Sequence, residues 1–231
     1  DLMEEFIKCY PANPNEYGYG KRNYRRGIKP PVSGTFANEF FMNSMGCPIR
    51  AEIWAMICPG RPEKGIELAY RDGCLDHGEE SIYAEQYITA LESLSFLSQD
   101  RLELIKKAME YIPETSRIYH VISDISGAFE KGSELEKVID YLETEYGDVD
   151  CSISFYNIGV IALALLYGNG EFEKTITLAV NCGYDTDCTA ATLGAVLGYG
   201  VFWLMKRYRP LWIPGFRVRE TSGMQFKGET K

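Results

Sequence analysis

Apolar residues recur at helical spacing through most of the chain. Between Glu79 and Ser98 they fall at Ile82, Tyr83, Tyr87, Ala90, Leu91, Leu94 and Leu97, the spacing of one helix face. The same reading predicts a helix from Pro48 to Met56, and one from Pro62, with proline in the first turn, to about Asp72. Ser98-Gln99-Asp100 supplies caps for a helix running through Met109. Further helices are predicted at about 115–131, 133–146, 152–167, 172–182 and 187–206. Ser133 and Glu136 have the spacing of a capping box. Gly147, Gly168-Asn169-Gly170 and Gly183 punctuate these segments. No run alternates with the period of two that a half-buried strand requires. The fold class is therefore all-α, centred on 152–167 and 187–204.

The ends read differently. Residues 1–10 resemble the tail of a helix stopped by Pro11, and Pro11 to Asn38 reads as a long irregular loop rich in Gly, Pro, Asn, Tyr and Arg. A loop of that length is usually functional or mobile. Its basic run, Lys21-Arg22-Asn23-Tyr24-Arg25-Arg26, is most simply a solvated surface. Pro210 to Lys231 reads as an extended segment that frays.

Composition narrows the function classes. The net charge of −9 argues against a nucleic-acid surface, which needs clustered Lys and Arg. The most apolar run, Ile153 to Tyr167, is shorter than the ~18 residues of a membrane span and carries Asn157 in its middle. No secretory leader is visible. The seven cysteines are odd in number and form no C-x-x-C pair, which points to free thiols in a reducing cytoplasm.

Chemistry concentrates in Gly183-Tyr184-Asp185-Thr186-Asp187-Cys188, where an Asp-x-Asp turn leads into a helix of small residues. Carboxylates so close repel unless a cation or several donors stabilise them. Hard divalent ions take oxygen ligands of this kind. The plainer reading is that one aspartate caps the helix. Gly194 and Gly198, four residues apart, would let another helix approach closely.

The run from Gly183 to Gly198 resembles the C-terminal motif of the ADP-ribosylglycohydrolase family. So do Tyr156-Asn157-Ile158-Gly159 and Ala179-Val180-Asn181 before it. A second block agrees in order: Gly46-Cys47-Pro48-Ile49-Arg50, Pro59-Gly60-Arg61-Pro62, Ala69-Tyr70-Arg71-Asp72, His77 and Ile82-Tyr83-Ala84-Glu85. The resemblance implies an all-α fold with a binuclear Mg²⁺ site that cleaves the bond between ADP-ribose and a modified side chain or small acceptor. By position it implies Asp185, Asp187 and Cys188 as metal ligands, the cysteine standing where the family has a hydroxyl residue. It places Asn43, Ser44, Met45, Gly46, His77, Gly183 and Tyr184 against ADP-ribose. Glu79, Glu80 and Glu85 read as helix N-terminal charges, and His120 as structural.

The family's remaining metal ligands lie in an N-terminal acidic run that residues 1–40 do not contain. The expectation is one domain over residues 1–231 that lacks its N-terminal segment. Three functions follow: a Mg²⁺-dependent hydrolase of an ADP-ribosylated protein or small molecule, a non-catalytic ADP-ribose-binding or crystallin-like structural relative, and the same fold acting on another glycosidic or phosphate-bearing molecule. No catalytic residue is assigned.

Overall fold

Two helices that are buried almost all round organise the protein. In the computed structural model, which describes residues 2–207 and the side chains through Tyr199, these are α6 (Glu79–Ser95) and α10 (Ser154–Tyr167). The remaining helices in chain order are α1 (Leu2–Cys9), α2 (Asn15–Arg25), α3 (Val32–Thr35), α4 (Ala51–Ile57), α5 (Pro62–Gly73), α7 (Arg101–Met109), α8 (Arg117–Glu130), α9 (Leu135–Tyr146), α11 (Phe172–Asn181) and α12 (Thr186–Arg207). A 3₁₀ turn, Pro48–Arg50, leads into α4. No strand occurs among the described residues, so the fold is all-α. Asp1 and the segment from Pro210 to Lys231 lie outside the described residues.

Helix α10 packs against α8, α9, α11 and α12, while α6 packs against α4, α5, α7 and α12. Their apolar side chains join in one core that includes Tyr87, Ile88, Leu91, Ile105, Val121, Ile122, Leu142, Ile161 and Leu165. The sequence also places α12 at the centre, and the structure packs it against α6, α10 and α11. Among its apolar residues, Leu193 and Val196 are buried, while Gly194 and Gly198 have no described atom within reach of a Cβ. The small-residue face therefore receives no described helix. Helix α6 is a second buried hub, and its burial of Ser81, Glu85, Thr89, Glu92 and Ser93 hides it from a search for apolar stripes.

Caps form where side chains can reach. Asp100 accepts from the Glu103 amide and Ser116 from the Tyr119 amide. The Ser133–Glu136 box does not form: Glu134 occupies the N-cap of α9, and the Ser133 carbonyl accepts from the Tyr167 hydroxyl at 2.9 Å. Glu80 holds the start of another helix, its two oxygens accepting from the Arg117 and Ile118 amides at 3.0 Å each. Glu85 is no exposed terminal charge. It is fully buried and accepts from the Cys47 thiol at 2.7 Å.

Residues 11–38 are not one irregular loop. They contain α2 and α3, and the basic run lies in and just after α2. The Lys21 side chain is buried. Its ammonium donates to the Tyr10 carbonyl and, at 2.6 Å, to that of Ala12, beneath the rings of Phe6 and Tyr10. Asn23 donates to the Ser33 and Phe36 carbonyls. Lys21 and Asn23 are thus structural, while Arg25 and Arg26 are exposed as a solvated surface. At Gly34 a Cβ would collide with the His77 backbone, which cannot swing aside as a flexible side chain would. Gly34→Ala is expected to lower stability by about 1–3 kcal/mol, measured by urea denaturation. No helix among the described residues is long and apolar enough to cross a membrane.

Candidate functional site

The turn from α11 into α12 is the most constrained piece of backbone around the Asp-x-Asp motif. Gly183 and Tyr184 both have positive φ, 75° and 59°. Glycine adopts this freely, whereas tyrosine does so only when its surroundings compel it. The Tyr184 ring stacks on Tyr156 with centroids 3.7 Å apart. Its hydroxyl accepts from the Asp148 amide at 2.9 Å and donates to the Asp148 carbonyl at 3.0 Å. These contacts reverse the chain and set Asp185 one residue before α12.

Asp185, Asp187 and Cys188 converge there, each offering a ligand atom within 4.8 Å of the others. Asp185 is half-buried and Asp187 exposed, so the cluster opens to solvent. Burial raises the Asp185 carboxyl above its usual range, and the charge of Asp187 adds to this; hydrogen bonds from the Cys188 thiol and amide oppose it. The bond from the amide three residues on is an N-cap. The capping and ligand readings are thus compatible, because a carboxylate has oxygens for both. Burial, with the charges of Asp185, Asp187 and Glu52, pushes the Cys188 thiol far above the normal thiol range. It therefore remains protonated and donates to Asp185. The aspartates fit a hard ion such as Mg²⁺; the thiol adds little to such an ion.

Asn157 joins this cluster to the second predicted segment. Its Oδ1 accepts from the Asp185 amide at 3.1 Å, and its Nδ2 donates to the Cys151 and Ile153 carbonyls at 2.9 Å each. The 151–154 segment in turn pairs with residues 43–45. The Met45 amide donates to Ser152 and the Ser154 amide to Asn43, both at 2.8 Å, around a bridge between Ser44 and Ile153. In the sequence Asn157 stands out as a polar interruption of an apolar helix and within the Tyr156-Asn157-Ile158-Gly159 match, with no role assigned. That interruption was the available signal, since a buried amide needs partners.

The 43–46 loop is less open than a phosphate cradle requires. Ser44 and Met45 are buried, and their amides already donate to Phe41 and Ser152. Asn43 is half-buried with its side-chain oxygen unpartnered. Gly46 has no room for a Cβ against Glu16 and His77.

His77 lies beneath this loop rather than in an open cleft, being fully buried. Its Nδ1 donates to Asp76 at 2.7 Å, because an ionised carboxylate can only accept, and its Nε2 meets the Ser44 hydroxyl at 3.2 Å. Arg50 pairs with Asp76 at 2.9 Å and with Asp72 at 2.8 Å. Burial alone would raise the Asp76 carboxyl, but the charges of His77 and Arg50 and their hydrogen bonds hold it down at about 2. The connectivity Ser44–His77–Asp76 matches a hydrolytic relay. Its serine is only 3% exposed, however, so the group acts as a brace under the loop. His120 is exposed and stands edge-on to Tyr119.

The structure thus brings residues 43–46 and 183–188 together through Asn157. Asn157→Ala is expected to cost about 1–3 kcal/mol, since it removes three hydrogen bonds to the backbone, at the Asp185 amide and the Cys151 and Ile153 carbonyls; thermal denaturation checks this.

The family model for ADP-ribosylglycohydrolases matches residues 8–203. The chain belongs to the ADP-ribosylglycohydrolase family, hydrolases by description. No curated protein and no solved structure matches it.

Proposed function

We propose that the protein hydrolyses the glycosidic bond joining ADP-ribose to a modified side chain or a small acceptor, using Mg²⁺ and an activated water. The observation that carries this reading is the convergence of Asp185, Asp187 and Cys188 at the start of α12. Asp185 and Asp187 would hold the ion, and Cys188 keeps the Asp185 carboxyl oriented. When bound, Mg²⁺ polarises ribose oxygens and lowers the pKa of water. Asn43 and Gly46 would meet the ADP-ribose, with Ser44, Met45 and His77 holding their loop in place. Gly183 and Tyr184 fix the turn beside the ribose. The free thiols support a reducing cytoplasm as the compartment.

A thiol at the third ligand position, a weak donor to a hard ion, favours a second reading, in which the chain binds ADP-ribose without cleaving it. The test is release of ADP-ribose from an ADP-ribosylated peptide, followed with and without Mg²⁺, beside calorimetric titration with free ADP-ribose. Mg²⁺-dependent release that Asp187→Asn abolishes supports the hydrolase. Binding without release supports the second reading, and absence of both overturns the two together.

A further inference from the structure

Helices α7 and α8 pack against each other but do not close along their whole length. Tyr119, Ser123, Ser126, Gly127 and Glu130 share one face of α8, and the middle of that face is small. At Gly127 a Cβ would meet no atom within 4 Å. Opposite stand Lys106 and Met109 of α7, with Glu110, Ile112 and Glu114 at and beyond its end. The space left between them is a cavity of about 420 Å³. That volume suits a small molecule, whose sites run roughly from 300 to 1,000 Å³. None of its lining residues belongs to the Asp185 cluster, the 43–46 loop or the brace beneath that loop.

The lining defines a ligand chemistry. Ser126 lines the cavity and is only 3% exposed, and its Oγ has no hydrogen-bond partner. A buried hydroxyl left without a partner calls for an explanation. Glu110, Glu114 and Glu130 supply carboxylates at exposed positions on the rim. The single ammonium there, that of Lys106, already pairs with Glu130 at 2.6 Å. Met109 and Ile112 are buried and Tyr119 is half-buried, so the floor is largely apolar. The acidic rim repels phosphates and carboxylates. A bare metal ion gains nothing from an apolar floor, whereas methylene groups do. Protonated amines on a methylene chain satisfy both parts.

We propose that this cavity binds an aliphatic polyamine. Its ammonium groups meet Glu110 and Glu114, its methylenes cover Met109, Ile112 and Tyr119, and one nitrogen donates to Ser126 Oγ. This goes beyond the proposed hydrolysis and does not depend on it.

The test is calorimetric titration of the 231-residue chain with spermidine. Salt at about 0.15 M screens loose attraction to the net charge of −9. Gly127→Leu fills the space without changing charge, and leucine is the better helix former, so the variant should melt no lower than wild type while binding at least about tenfold more weakly. Ser126→Ala is expected to lose about tenfold in affinity, as for a hydrogen bond to a charged group, with no fall in melting temperature because Oγ has no partner to lose. Glu110→Gln with Glu114→Gln is expected to weaken binding at least about tenfold. Wild-type affinity in either Gly127→Leu or the double glutamine variant overturns the proposal, as does a wild-type chain that takes up no spermidine. Binding of a lysine-rich peptide in place of spermidine overturns the polyamine as occupant.

Discussion

Replacing Asp76 with alanine is expected to destabilise the protein by about 3–5 kcal/mol, the range for breaking a buried ion pair on one side. Asp76 is fully buried and takes two hydrogen bonds from the Arg50 guanidinium, at 2.9 and 3.2 Å, and one from His77. Without it, the His77 Nδ1–H loses its acceptor and Arg50 keeps Asp72 as its ion-pair partner. Acid should reproduce part of this loss. A carboxyl held at about 2 contributes stability that is complete above its unfolded value near 3.9 and disappears as pH falls toward 2. Urea denaturation between pH 6 and pH 2 should therefore show wild type losing stability more steeply than Asp76→Asn. Parallel curves would mean that Asp76 is not the ionised centre of the brace. Loosening should also reach the Ser44 loop, which depends on His77 from below.

Removing either aspartate of the α12 turn is expected to weaken Mg²⁺ binding by more than about 100-fold, beyond the 10–100-fold typical of residues that merely support a ligand. The two positions separate ligand from cap. Asp187→Ala should leave stability nearly unchanged because its side chain is exposed. Asp185→Ala should additionally cost about 1 kcal/mol through the lost cap, whereas Asp185→Asn keeps the cap and still loses the charge. Isothermal calorimetry gives the affinities and thermal melts the stabilities. Wild-type Mg²⁺ affinity in Asp187→Ala would remove that residue from the metal site.

Local physics explains what the sequence revealed. The helices from α5 onward follow from apolar spacing and from glycines at their ends, features that neighbouring residues settle among themselves. Helix α2 did not show itself because Asn15–Arg25 contains Gly18 and Gly20, poor helix formers. The nearby Asn13 backbone and the chain at Leu75-Asp76 leave no room for a side chain at those positions, so the helix answers to tertiary packing. The Asp-x-Asp turn was legible because its chemistry is contiguous. The Arg50–Asp76–His77–Ser44 brace was not, since its members meet only after α4, α5 and the 43–46 loop have packed. Nor does spacing reveal that Glu92 is buried, because its position on α6 is polar by pattern and internal by context.

One side-chain amide has a thermodynamic consequence. Asn157 bonds the Asp185 turn with one end and the segment that pairs with residues 43–46 with the other. A ligand that tightens either end changes the free energy of the other through this joint. Linkage makes such a change reciprocal: any factor by which a cation strengthens nucleotide binding is the factor by which the nucleotide strengthens the cation. Under the proposed function, occupancy of the two segments would be a single coupled equilibrium, transmitted by a residue assigned to neither ligand.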